Sequence, residues 1–152
     1  MKFSVARVKR DKYYQEYLAS EDIRIEGVVE TLSELAPHYK MAIITTSKQV
    51  DFDLIHRNKS IVKFMDFVLT REDYDRSKPD PEPYLTGLKR LGATSSEVVV
   101  VEDSARGLKS AIATNIDCIV VKNEFTKSND FTGAVLKIES LKELPLTIKK
   151  FK

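Results

Sequence analysis

Short, solidly apolar runs alternate along this chain with stretches whose apolar residues recur every three or four positions. The runs are Met41-Ala42-Ile43-Ile44-Thr45, Phe67-Val68-Leu69, Val98-Val99-Val100-Val101 and Cys118-Ile119-Val120-Val121. Each is short and, like most buried strands, rich in apolar or β-branched residues, so each predicts a strand covered on both faces. Helical spacing fills the gaps. It runs from Gly27, with Val28, Leu32 and Leu35 on one face and Pro37 closing it, and from Lys48 to Lys59 through Val50, Leu54 and Ile55. It returns from Tyr84 to Leu91, stopped at Gly92, and from Ala105 to Thr114. Residues 2–18 place Phe3, Ala6, Tyr13, Tyr14, Tyr17 and Leu18 at mostly three- and four-residue spacing. That predicts an amphipathic helix packed through its tyrosines, although residues 1–8 also alternate well enough for a strand. Beyond Lys122 the chain is polar and predicts only a weak helix at Ser140–Leu144.

Apolar strands separated by helices predict βαβ crossovers, hence a three-layer, Rossmann-like α/β fold with a mostly parallel sheet. Such sheets bind ligands beyond the carboxyl ends of their strands. Three of those ends carry polar groups. The first strand runs into Thr45-Thr46-Ser47, the loop after the second reaches Ser77-Lys78-Pro79-Asp80-Pro81, and the third ends in Glu102-Asp103-Ser104. A hydroxyl followed by free amides at a helix start forms an anion site. A lysine supplies a point charge for a phosphoryl oxygen. Paired carboxylates suit Mg²⁺, which takes one or two carboxylates plus phosphate oxygens. Taken singly, each feature is also an ordinary helix cap or solvated charge.

Composition narrows the partners. Of 152 residues 42% are hydrophobic and 32% charged, with 25 Lys and Arg against 23 Asp and Glu, a balance that excludes intrinsic disorder. The net charge of +2 gives no basic excess for nucleic acid. No apolar run reaches membrane-spanning length, and Arg7, Lys9 and Arg10 interrupt the place of a signal peptide, which predicts a cytoplasmic chain without membrane contact. The single cysteine, Cys118, forms no intrachain disulfide and reads as a small core hydrophobe. His38 and His56 read as solvated.

The segments Ala42–Ser47, Ser77–Tyr84 and Val99–Gly107, with Lys78 lying 33 positions after Thr45 and 24 before Glu102, resemble the second, third and fourth motifs of the haloacid dehalogenase-like superfamily. The likeness spans about residues 25–125 and is nearest its β-phosphoglucomutase and phosphoglycolate-phosphatase branch. The resemblance implies a Mg²⁺-dependent phosphohydrolase or phosphomutase of small phosphorylated metabolites. In it Thr45, helped by the amides of Thr46 and Ser47, would bind the phosphoryl group. Lys78 would bridge nucleophile and phosphate, and Asp103, with Glu102 beside it, would hold Mg²⁺. Arg106 and Gly107 would shape the turn.

The resemblance also implies a first motif, an apolar strand ending Asp-x-Asp-Gly that supplies the nucleophile, and no such motif stands in these 152 residues. Asp51-Phe52-Asp53 has the spacing but falls in a helix, where it reads as a solvated face; Asp11 lacks the second aspartate and the glycine. Residues 1–22 then read as a remnant of the helical cap and 23–152 as the core. Without the first, central strand the sheet exposes two unpaired edges. The expectation is that these residues are a piece of a longer polypeptide, that another chain or segment, a swapped copy or residues 1–8, supplies the strand, or that the sheet closes around the gap, and that the chain alone is inactive. A non-catalytic phosphate- or metal-binding module, or an interaction module, is the alternative; a plain α/β domain whose motifs are caps and loops is a third.

Overall fold

The computed structural model describes residues 2–20, 25–57 and 61–151, with side chains from Asp11 onward. Among these residues the order is α1 (Lys2–Ser20), α2 (Val28–Leu35), β1 (Ala42–Ile44), α3 (Gln49–His56), β2 (Phe67–Leu69), α4 (Glu82–Leu91), β3 (Val99–Glu102), α5 (Ala105–Ala113), β4 (Asp117–Val121), β5 (Leu136–Ile138) and α6 (Leu144–Ile148). Every paired strand runs parallel to its neighbour. Helices lie on both faces, so the α/β architecture predicted from the apolar runs is the one observed.

The strands do not form one sheet. β1 pairs with β2, setting Ile43 opposite Val68, while β3, β4 and β5 form a separate sheet in which Val100 faces Cys118 and Val120 faces Lys137. Residue alternation divides the core accordingly. Val100, Cys118 and Val120 meet Tyr84 of α4 and Leu108 and Ala111 of α5 on one face. Ile119, Val99 and Val121 meet Leu35 of α2 and Leu144 and Ile148 of α6 on the other. The apolar run at Val98–Val101 is thus explained: consecutive valines serve opposite layers. Cys118 is 1% exposed and packs as the expected core hydrophobe.

Helix ends follow local chemistry. Gly92 ends α4 in the left-handed region at φ 66°, its amide reaching the carbonyls of Leu88 and Lys89. Ser104 caps α5 by accepting from the Gly107 amide at 3.1 Å.

Five expectations are corrected. Residues 2–8 belong to α1 and form no strand. Tyr13, Tyr14 and Tyr17 do not pack: they are 69%, 45% and 55% exposed, and among the described side chains of this helix Leu18 is buried. The helix leans on α3 along one edge, joined by Lys48 Nζ to Asp11 Oδ2 at 2.5 Å and by Arg57 to the Ala19 carbonyl, and a narrow edge leaves the tyrosines outside. Asp51 and Phe52 are buried, so the presumed solvated face of α3 is half core; Asp53, exposed, accepts from Gln49. His56 is half-buried against the Phe52 ring at 4.2 Å. The polar tail hides β5, and its helix starts at Leu144 after a 3₁₀ turn over Leu141–Glu143.

Candidate functional site

The carboxyl ends of β1 and β3 meet at a cavity of about 670 Å³ whose walls include Thr45, Thr46, Lys78, Glu102, Asp103 and Asn123. Five of the six residues singled out from the sequence therefore share one space. Ser47 does not line it. Its amide donates to Thr45 Oγ1 at 3.1 Å, which leaves the Thr45 hydroxyl proton free to point elsewhere. Thr45 itself is held at both backbone ends: its amide donates to Leu69 on β2 at 2.9 Å, and the buried Tyr74 hydroxyl donates to its carbonyl at 2.7 Å. Burial raises the Tyr74 pKa, so this donor keeps its proton.

Lys78 arrives from the proline-rich loop, and α5 fixes that loop. Arg106 donates to the Lys78 carbonyl, and Ser110 Oγ donates to the Asp80 carbonyl at 2.6 Å. Arg106 is thus a brace for Lys78 as well as a turn residue. The Lys78 side chain is 7% exposed as a residue, and its ammonium spans the two sheets, donating to Ile44 O on β1 at 2.8 Å and to Glu102 Oε1 on β3 at 2.5 Å.

Glu102 is crowded. Oε1 also accepts from the Tyr84 hydroxyl at 2.5 Å, and Oε2 accepts from Ser104 Oγ at 3.2 Å. The Lys78 ammonium lies 4.6 Å from the centre of the Tyr84 ring. Burial and the charge of Glu102 push the Tyr84 pKa far up, so Tyr84 is a permanent donor. The carboxylate fits because residue 107 is glycine: a Cβ there would stand 1.9 Å from the Glu102 carboxyl carbon. Asp103, by contrast, lies open at the rim, with Oδ2 accepting from Asn123 Nδ2 at 3.1 Å. Its pKa is raised, first by desolvation and then by the neighbouring Glu102 charge.

Sequence reasoning missed Tyr74, Tyr84 and Asn123. Tyr84 stands inside the third motif segment and carried that much signal; Tyr74 and Asn123 come from loops with no pattern of their own.

Comparison with known proteins fixes the family. Residues 3–121 match the profile of the haloacid dehalogenase-like hydrolases. This chain belongs to that family. A haloacid dehalogenase-like hydrolase domain-containing protein of Arabidopsis thaliana is 28% identical over 138 residues, covering 88% of this chain and 44% of its own length. Protein CbbY of Rhodobacter capsulatus is 28% identical over 133 residues, covering 84% and 59%. The crystal structure of CbbY from Rhodobacter sphaeroides in complex with phosphate superposes with a TM-score of 0.80 at 23% identity, over 93% of this chain and 64% of that one. This haloacid dehalogenase-like chain therefore spans roughly half to two thirds of the relatives it matches. Among the described residues no cluster of three His, Cys, Asp or Glu side chains stands ready for a metal, and no helix is long and apolar enough to cross a membrane.

Proposed function

We propose that this chain carries the phosphate- and Mg²⁺-holding side of a phosphohydrolase acting on small phosphorylated metabolites. One observation carries the reading: Thr45, Lys78 and Asp103, from three separate segments, line a single cavity. Its volume of about 670 Å³ suits a small molecule. The phosphate named for the CbbY crystal structure supports phosphate as the ligand class.

Asp103 fits Mg²⁺, and Glu102 does not. Mg²⁺ binds through one or two carboxylates and keeps several waters, so a lone open carboxylate whose proton affinity is already raised is a suitable anchor. Both Glu102 oxygens are engaged by Lys78, Tyr84 and Ser104, which makes it the counter-ion that aims Lys78. When bound, the ion would neutralise charge developing on the phosphoryl oxygens. The Thr45 hydroxyl, its oxygen accepting from Ser47, donates to a phosphoryl oxygen, and the exposed Thr46 lies beside it at the wall. Lys78 contributes positive charge from a nearly dry position, where charge stabilisation is strongest.

The other carboxylates at the cavity are Glu26, paired with Lys142, and Glu139, paired with Lys122, and neither is an aspartate. The attacking aspartate of the family mechanism thus has no counterpart at this wall among the described residues. The 152 residues alone bind inorganic phosphate and Mg²⁺ without turning over phosphate esters. Calorimetric titration with phosphate in Mg²⁺ buffer is expected to show binding in the wild-type chain and none in Lys78→Ala, with no p-nitrophenyl phosphate hydrolysis in either. Turnover by the wild-type chain that disappears in Asp103→Ala would overturn the inactivity, and absence of phosphate binding would overturn the site.

A further inference from the structure

The loop between β2 and α4 grips the carboxyl end of β1 from both flanks. The Ile44 carbonyl accepts from Lys78 Nζ at 2.8 Å, and the next carbonyl, that of Thr45, accepts from the Tyr74 hydroxyl at 2.7 Å. In a trans peptide the C=O and the N–H that follows it point in opposite directions. The Thr45 amide donates to Leu69 O on β2, so the Ile44 carbonyl points away from β2, and there Lys78 meets it. The Thr45 carbonyl points the other way, to Tyr74, which follows β2. The Thr46 amide shares a peptide plane with that carbonyl and therefore projects on the flank of the Lys78 ammonium. Among the described residues this amide meets no acceptor, and Thr46 lines the phosphate cavity.

The polar groups on either side are already spent. The Ser47 amide donates to Thr45 Oγ1 at 3.1 Å, and the Ser47 carbonyl accepts from the Arg71 amide at 2.9 Å. The Gln49 amide donates to Glu72 Oε2 at 3.0 Å. These bonds fix the chain around the Thr45–Thr46 peptide, yet the plane can still turn about the two single bonds that flank it. A turned plane would show the cavity a carbonyl oxygen, whose partial negative charge repels an anion. The Tyr74 hydroxyl is the group that holds the other orientation.

Tyr74 is itself held still. It is 6% exposed, its carbonyl accepts from Arg71 Nη1 at 2.7 Å, and the same guanidinium lies 5.6 Å from the centre of its ring. The turn before it is closed by Asp73 Oδ2, which accepts from the Thr70 amide at 2.7 Å. Packing in this place needs only the ring. The hydroxyl does something further, since it reaches the one carbonyl whose direction sets an amide of the anion loop.

We propose that Tyr74 is a positioning residue of the phosphate site: by holding the Thr45 carbonyl on the β2 flank, its hydroxyl turns the Thr46 amide into the cavity as the backbone donor to a phosphoryl oxygen. The proposal rests on the phosphate reading of the cavity and narrows it. Of the two amides that follow Thr45, that of Thr46 supplies the bond and that of Ser47 does not. One loop thus delivers the cation through Lys78 and aligns the amide through Tyr74, and α5 anchors that loop through Arg106 and Ser110.

The test compares the full wild-type chain with Tyr74→Phe, which keeps the ring and deletes the oxygen, by amide NMR with inorganic phosphate in Mg²⁺ buffer as the probe. Before phosphate is added, the Thr46 amide is expected to show exchange broadening on the microsecond-to-millisecond scale in Tyr74→Phe and none in the wild type. Equal behaviour overturns the proposal, whatever phosphate does. Phosphate is expected to move the wild-type Thr46 amide proton downfield by more than that of Ser47. It is expected to bind Tyr74→Phe about tenfold more weakly, as when one hydrogen bond to a charged group is lost. A larger shift at Ser47, or undiminished affinity in Tyr74→Phe, overturns the assignment. A tyrosine that served packing alone would leave both the Thr46 line and the affinity of the folded variant unchanged. Phosphate that moves no amide of the wild type defeats the reading of the site, and the comparison without phosphate then decides the role of Tyr74 on its own. Should Tyr74→Phe fail to fold, the wild-type titration decides, because it identifies the amide that meets the anion.

Discussion

Asp103 and Gly107 show how single residues set the site. The folded state raises the Asp103 pKa by partial desolvation at the cavity rim and by the Glu102 charge, so it holds that proton more tightly than the unfolded chain does. Acid therefore favours folding at this residue, and the advantage is lost as pH rises through the shifted value. Asp103→Asn cannot ionise. In Mg²⁺-free buffer it is expected to melt above the wild-type chain near pH 7, with the gap closing towards about pH 3. Thermal melts at the two pH values check this, and a gap independent of pH would refute the link to Asp103 ionisation. At Gly107 two effects oppose each other. Alanine improves a helix interior by about 0.5–1 kcal/mol. Its Cβ would also stand 1.9 Å from the Glu102 carboxyl carbon, on a carboxylate paired with a buried lysine, where broken pairs cost about 3–5 kcal/mol. The clash wins: Gly107→Ala is expected to lose about 2 kcal/mol or more in denaturant unfolding and to weaken phosphate binding.

Elements whose burial is symmetric were the ones legible in the sequence. β3 and β4 announce themselves because both faces meet helices, so the apolar run is unbroken. β5 does not: Leu136 and Lys137 are exposed and only Ile138 is buried, which leaves a three-residue edge strand without a pattern. The tyrosines of α1 misled for the converse reason. Helical spacing reports which residues share a face, not whether a partner covers it, and α1 lies along α3 by one edge. The charge of Asp51 predicts exposure, yet it sits next to Phe52 on a helix turned inward. The stop of α4 at Gly92 was legible, since only backbone conformation is at stake there. Apart from its adjoining backbone, nothing lies within 4 Å of a Cβ built on Gly92, so Gly92→Ala isolates the left-handed conformation itself. A loss of about 1 kcal/mol in chemical denaturation is expected, without change in phosphate affinity.

At the scale of the whole molecule, the three-layer architecture and the meeting of Thr45, Lys78 and Asp103 follow from strands that must be buried on both faces and present their ends together. The carriers of geometry were less visible: Tyr74, Tyr84, Asn123 and Arg106 act through hydrogen bonds between segments far apart in sequence, and a linear pattern does not encode such contacts. The chain's one sulfhydryl offers a way to watch the larger sheet. Cys118 sits in the middle strand of β3-β4-β5, 1% exposed, with burial pushing its pKa up to about 12. Reagent is barred twice, by access and by the scarcity of thiolate, so alkylation in the native state is expected to run about a thousandfold slower than in the denatured chain. Its rate, read as the added mass of the alkyl group, then becomes a stopwatch for the opening of that sheet and requires no isotope.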